Sequence, residues 1–128
     1  MTDDKTTVNE LKDAIRALVI AKGWGKDGVQ NVQHVAMAMT VEMSELLENF
    51  QWLEPEDVLR LQNGLDPERQ RRIAEEFADI MMYGLQITKT LDIDVSAEIE
   101  RKIAKVLKRP AGLRGRYADA LTGEKCDE

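Results

Sequence analysis

Proline occurs at only three places in this chain, and two of them, Pro55 and Pro67, directly follow an acid. An acid that can cap, followed by a residue whose fixed φ suits a first turn, is a helix start. The third, Pro110, follows Arg109 and stops a helix. Between these marks apolar residues recur at helical spacing, and no segment alternates in the manner of a strand. Aromatics are 5% of the chain, which also favours helices over sheets.

Thr7-Val8-Asn9-Glu10 has the form of a capping box. Val8, Leu11, Ile15 and Leu18 follow it, and Gly23 ends this first helix. A loop spans 23–31. It contains Gly23, Gly25 and Gly28 in a formal Gly-x-Gly-x-x-Gly, but no strand precedes it, so a dinucleotide fingerprint is not expected. A second helix runs from about Asn31 to Trp52. A short helix starts at Glu54-Pro55 and ends at Gly64. A third long helix runs from about Pro67 to Leu91. Asp94 caps a last one, with Val95, Ile99, Ile103 and Val106 on its apolar face. The expected fold is all-α: a four-helix bundle in residues 1–110, with a short extra helix between its second and third long helices. The tail, 111–128, lacks periodicity and is expected to be mobile.

At 128 residues the chain is one domain by length. Its net charge of -6 does not attract a nucleic-acid backbone, so duplex binding is not expected. No apolar run approaches the roughly 20 residues needed to span a bilayer, and no signal peptide is expected. The single cysteine, Cys126, excludes an internal disulfide framework. A reducing cytoplasm is the expected compartment.

The second and third long helices carry matched acid pairs, Glu42-x-x-Glu45 and Glu76-x-x-Asp79. At 100° per residue, Val35, Met39, Met43, Leu46 and Phe50 form one stripe, and Glu42 falls about 70° from its centre, with Glu45 further round. On the third, Ile73, Phe77, Ile80, Gly84 and Ile87 form the stripe, and Glu76 falls about 65° from its centre, with Asp79 further round. Packed antiparallel, the two helices bring four carboxylates together. Such a group repels itself unless a cation sits within it, and a hard divalent ion with oxygen ligands, commonly Mg²⁺, answers that need. The same acids also read as a solvated surface pattern. With 24 acids, Glu-x-x-Glu arises by chance, and Glu45-x-x-Glu48 is another instance. Zinc and di-iron sites are disfavoured, because His34 is the one histidine and no acid stands three residues before it.

The stretches EMSELLENFQW, EEFADIMMYG and KIAKVLKRP resemble the all-alpha nucleoside triphosphate pyrophosphatases, in the MazG-like branch that includes dCTP pyrophosphatase. The resemblance covers about residues 8–110. It implies hydrolysis of a (d)NTP to (d)NMP and pyrophosphate with Mg²⁺, for which Mn²⁺ can substitute, and a house-cleaning role toward deoxynucleotides. It implies metal ligation by Glu42, Glu45, Glu76 and Asp79. It places Trp52 and Tyr83 at the base and Lys102 at the phosphates, with Trp24 and Arg109 as further substrate contacts. Val106 stands where similar proteins often have Asn, and Arg109-Pro110 where they often have Arg-Tyr-Pro. The chemistry would be in-line attack of water on the α-phosphorus, with Glu45 the first candidate for general base. Two other readings stay open: a pyrophosphohydrolase acting on phosphoribosyl-ATP, and a helical nucleotide-binding module without turnover.

Met37, Val41 and Met82 fall well away from the core stripes. Left exposed they would form an apolar surface, so a homo-oligomer is expected, which the resemblance also implies. A tetramer built as a dimer of dimers, or a dimer, would bury them, with the second and third long helices at the main contact.

Overall fold

The structure is a computed structural model and describes residues 1–109. It contains five helices: α1 (Val8–Ala21), α2 (Val32–Glu48), α3 (Pro55–Gln62), α4 (Pro67–Thr90) and α5 (Val95–Leu107). No strand occurs among the described residues. The expected tail, 111–128, lies outside them.

Each helix starts where a side chain takes up a free backbone N–H. At α1 the Thr7 hydroxyl accepts from Glu10 N–H at 3.1 Å while the Glu10 carboxylate accepts from Thr7 N–H at 2.7 Å. Asn31 caps α2 by accepting from Gln33 and His34 N–H. Pro55 and Pro67 occupy the first turns of α3 and α4, and Asp66 accepts from Arg69 N–H at 3.1 Å. Asp94 caps α5 through Ala97 N–H at 3.0 Å. These starts fall where the sequence places them because capping chemistry is local.

The chain forms two compact units, one of Met1–Ile93 and one beginning at Asp94. In the first, α4 is the hub against which α1, α2 and α3 pack. Ile15, Val19, Val35, Ile80 and Leu85 are its buried apolar core. Lys12 is buried with them, and its ammonium donates to the Ile93 carbonyl at 2.6 Å, just past the end of α4. A cation suits the negative end of a helix. On the same side Lys89 pairs with Asp13 at 2.7 Å.

The glycine-rich loop is a turn. Gly23, Gly25 and Gly28 all have positive φ, and Lys26 and Val29 bridge through paired backbone hydrogen bonds. A Cβ on Gly25 would run into the Val29 carbonyl. Backbone geometry accounts for the spacing.

Helices α2 and α4 run antiparallel. The Asn49 carbonyl, at the end of α2, accepts from Arg69 Nη1 at 2.8 Å near the start of α4, and Met39 reaches Gly84 in its second half. The second helix ends at Glu48, four residues short of the expected Trp52. There the backbone tightens, with Asn49 N–H bonding Leu46 O and Phe50 N–H bonding Leu47 O, and Arg69 takes the carbonyl that another turn would have used.

The shielded line on α2 is Val35, Met39, Glu42 and Leu46, and on α4 it is Ile73, Glu76, Ile80 and Ile87. Met43, Phe50 and Phe77, expected on the stripes, are exposed instead. Hydrophobicity alone centres each stripe too far from the acids. Met82, expected to be exposed, is half-buried.

Candidate metal centre

Glu42 and Glu76 sit on the facing lines of α2 and α4, so packing that seam brings the acids together. Glu42, Glu45 and Glu76 each offer a carboxylate oxygen within 4.8 Å of the others. Glu42 and Glu76 are half-buried and Glu45 is exposed. Asp79, one turn after Glu76, is exposed and stands outside this tight group. Its charge is nonetheless felt by both Glu42 and Glu76.

The electrostatics follow from the crowding. Burial is the first cause that pushes the Glu42 carboxyl above its ordinary range, and the neighbouring Glu45, Asp79 and Glu76 push it further. Burial likewise leads for Glu76, followed by Glu45 and Asp79. Both acids therefore favour a proton more than a free glutamate does. Oxygens bound to Mg²⁺ at about 2.1 Å lie at most about 4.2 Å apart, so three carboxylates within 4.8 Å need only a small closure to share one ion. The donors are all hard oxygens, which suits such an ion.

Of the remaining sequence-selected residues, Trp24, Trp52 and Tyr83 belong to the first unit. Trp52 follows the end of α2 and is 85% exposed. Tyr83 is half-buried on α4, past Asp79. Trp24 lies in the glycine loop and is 48% exposed. Lys102 on α5 and Arg109 just beyond it are exposed and belong to the second unit.

Sequence reasoning passes over the residues that hold the end of α2. Arg69 bonds the Asn49 carbonyl and also Asp66 Oδ2 at 2.9 Å, and Arg72 Nε donates to Asn49 Oδ1 at 3.4 Å. The sequence does carry a signal for them: Arg69, Arg72 and Glu76 recur on one side of a helix.

The pattern of the MazG-like family matches residues 37–115, more than half of the chain. The chain belongs to the MazG-like family. The MazG-like match begins inside α2 and takes in all four acids, Trp52, Tyr83, Lys102 and Arg109, and leaves out Trp24. The chain is also similar to the crystal structure of a pyrophosphatase from Archaeoglobus fulgidus DSM 4304, at 27% identity and a TM-score of 0.65. That likeness covers 82% of this chain and 93% of the other. No curated protein matches.

Proposed function

We propose that this MazG-like protein is a metal-dependent nucleoside triphosphate pyrophosphohydrolase, converting a (d)NTP and water to (d)NMP and pyrophosphate. One observation carries the reading: Glu42, Glu45 and Glu76 converge within 4.8 Å on the α2–α4 seam. Membership of the family and likeness to a solved pyrophosphatase support it.

In this reading Glu42, Glu45, Glu76 and Asp79 hold Mg²⁺, or Mn²⁺ in its place. A cation held there offsets the phosphate charge and acidifies the attacking water. Glu45 receives the water's proton, because it is the exposed member of the tight group and the freest to do so. Asp79 closes the ligand set from one turn along α4. Trp24, Trp52 and Tyr83 offer flat surfaces to the base, and Lys102 and Arg109 meet the phosphates. The working fold is the four-helix form over residues 1–110, acting in the cytoplasm to clear unwanted deoxynucleotides.

Assembly belongs to the same proposal. Met37 and Val41 are 62% and 54% exposed on α2, whose charged residues are all acids. A helix apolar around most of its girth is covered in its working state. A second copy supplies that cover, giving a dimer or a tetramer of two dimers. It also lets a base meet Trp52 of one copy and Tyr83 of another.

The test is a turnover assay over the common NTPs and dNTPs with Mg²⁺, reading both products. Equal amounts of monophosphate and pyrophosphate, abolished by chelation, are expected. Diphosphate with orthophosphate, or full turnover after chelation, would overturn the proposal.

A further inference from the structure

On α4 the side chains of Arg72, Glu76, Asp79 and Tyr83 follow one another at spacings of four, three and four. They lie within about 60° of one another around the helix, so they form a single line along its edge. Arg72 stands about 6 Å before Glu76 on that line. Its Nε donates to Asn49 Oδ1 at 3.4 Å, and the Asn49 amide donates in turn to the Glu45 carbonyl at 3.3 Å. The guanidinium is thus steadied from the side by the end of α2. Among the described residues its two Nη groups make no hydrogen bond and no ion pair.

That freedom needs explaining. Glu76 is four residues on, within reach of an arginine, yet the two do not pair. One residue earlier on the same helix Arg71 does pair with Glu75 at 3.1 Å, so spacing and orientation alone do not hold Arg72 off Glu76. The edge therefore holds its cation and its acids apart. Acids that gather a metal ion attract phosphate oxygens through it. A guanidinium with two free Nη groups presents a fork matched to a phosphate beyond.

We propose that Arg72 binds the terminal phosphates of the substrate and holds the departing pyrophosphate. This rests on the pyrophosphohydrolase reading above. The substrate then lies along α4 with its sugar and base toward Tyr83, its α-phosphate at the carboxylates, and its β- and γ-phosphates toward Arg72. Water adds to the α-phosphorus, the bond to the bridging oxygen breaks, and the electron pair leaves on pyrophosphate. The charge that develops there falls beside Arg72. The monophosphate product does not reach Arg72, and this separates a phosphate-binding role from a brace for α2.

The test is calorimetric binding of inorganic pyrophosphate and, separately, of a nucleoside monophosphate to the Mg²⁺-loaded protein. Arg72→Ala deletes a charge-assisted hydrogen-bond donor, so it should weaken pyrophosphate binding about tenfold and leave monophosphate binding within about twofold of the parent. Arg72→Lys, which keeps the charge, should restore part of the affinity, and melting curves check that each variant is folded. Wild-type pyrophosphate affinity in Arg72→Ala, or equal weakening for both ligands, would overturn the assignment while leaving the hydrolase reading intact. A parent protein that releases no pyrophosphate from any (d)NTP would overturn that reading and Arg72's role with it.

Discussion

Glu42 and Glu76 occupy places on the α2–α4 seam where an apolar residue would pack better. Without metal, each raises the free energy of the folded state by bringing charge to a shielded, already negative edge. Glu42→Gln and Glu76→Gln should therefore raise the melting temperature of the metal-free protein and remove the further rise that Mg²⁺ gives the parent. A lower metal-free melting temperature in both would contradict this account of the seam. The sign of the pH effect follows. Both carboxyls sit above their ordinary value of 4.5 in the folded state, so the fold holds their protons more tightly than the unfolded chain. Their contribution to stability is fully present below 4.5 and is lost as pH rises through the raised values. Metal-free protein should lose stability from these two groups over that rise. Mg²⁺ should bind more tightly as pH climbs, because it displaces those protons. Thermal melts with and without Mg²⁺ from about pH 4 to about pH 8 check both directions.

At the scale of the helix, the end of α2 is held from outside. Arg69 is only partly exposed and bonds both the Asn49 carbonyl and Asp66. Arg69→Ala should cost about 1.5–3 kcal/mol, the range of hydrogen bonds to charged groups, and hydrogen exchange should quicken first around Leu46 to Asn49. Uniform quickening across α1 and α4 instead would mean that the arginine holds no particular end. This bond also shows where sequence reading stops. Caps and prolines mark the starts of all five helices, because Thr7, Asn31, Asp66 and Asp94 act within a few residues of themselves. The end of α2 is not legible in the same way, because the group that takes its carbonyl comes from another helix. The stripes escape the sequence for a related reason. Met43, Phe50 and Phe77 are more apolar than Glu42 and Glu76, so hydrophobic spacing selects them, and only the facing helix reveals that the acids line the seam. Glu42, Glu45 and Glu76 are legible, since their spacing on two antiparallel helices carries their convergence, while Asp79 stays outside the tight group.

For the whole molecule, the question is what covers the outer face of α2. Met37, Val41, Met43 and Leu47 are all about half exposed or more, more apolar surface than a lone helix usually leaves in water. Light scattering should report a multiple of the 14.5 kDa chain, and Met37→Glu should reduce it. A parent mass near 14.5 kDa would refute the assembly. The central claim, however, is chemical: the carboxylates of α2 and α4 direct water to the α-phosphorus of a nucleoside triphosphate. Hydrolysis in ¹⁸O-labelled water with Mg²⁺, followed by mass spectrometry of both products, tests it most directly. The label should appear on the monophosphate and not on pyrophosphate. Label on pyrophosphate would place the attack at the β-phosphorus and contradict the account.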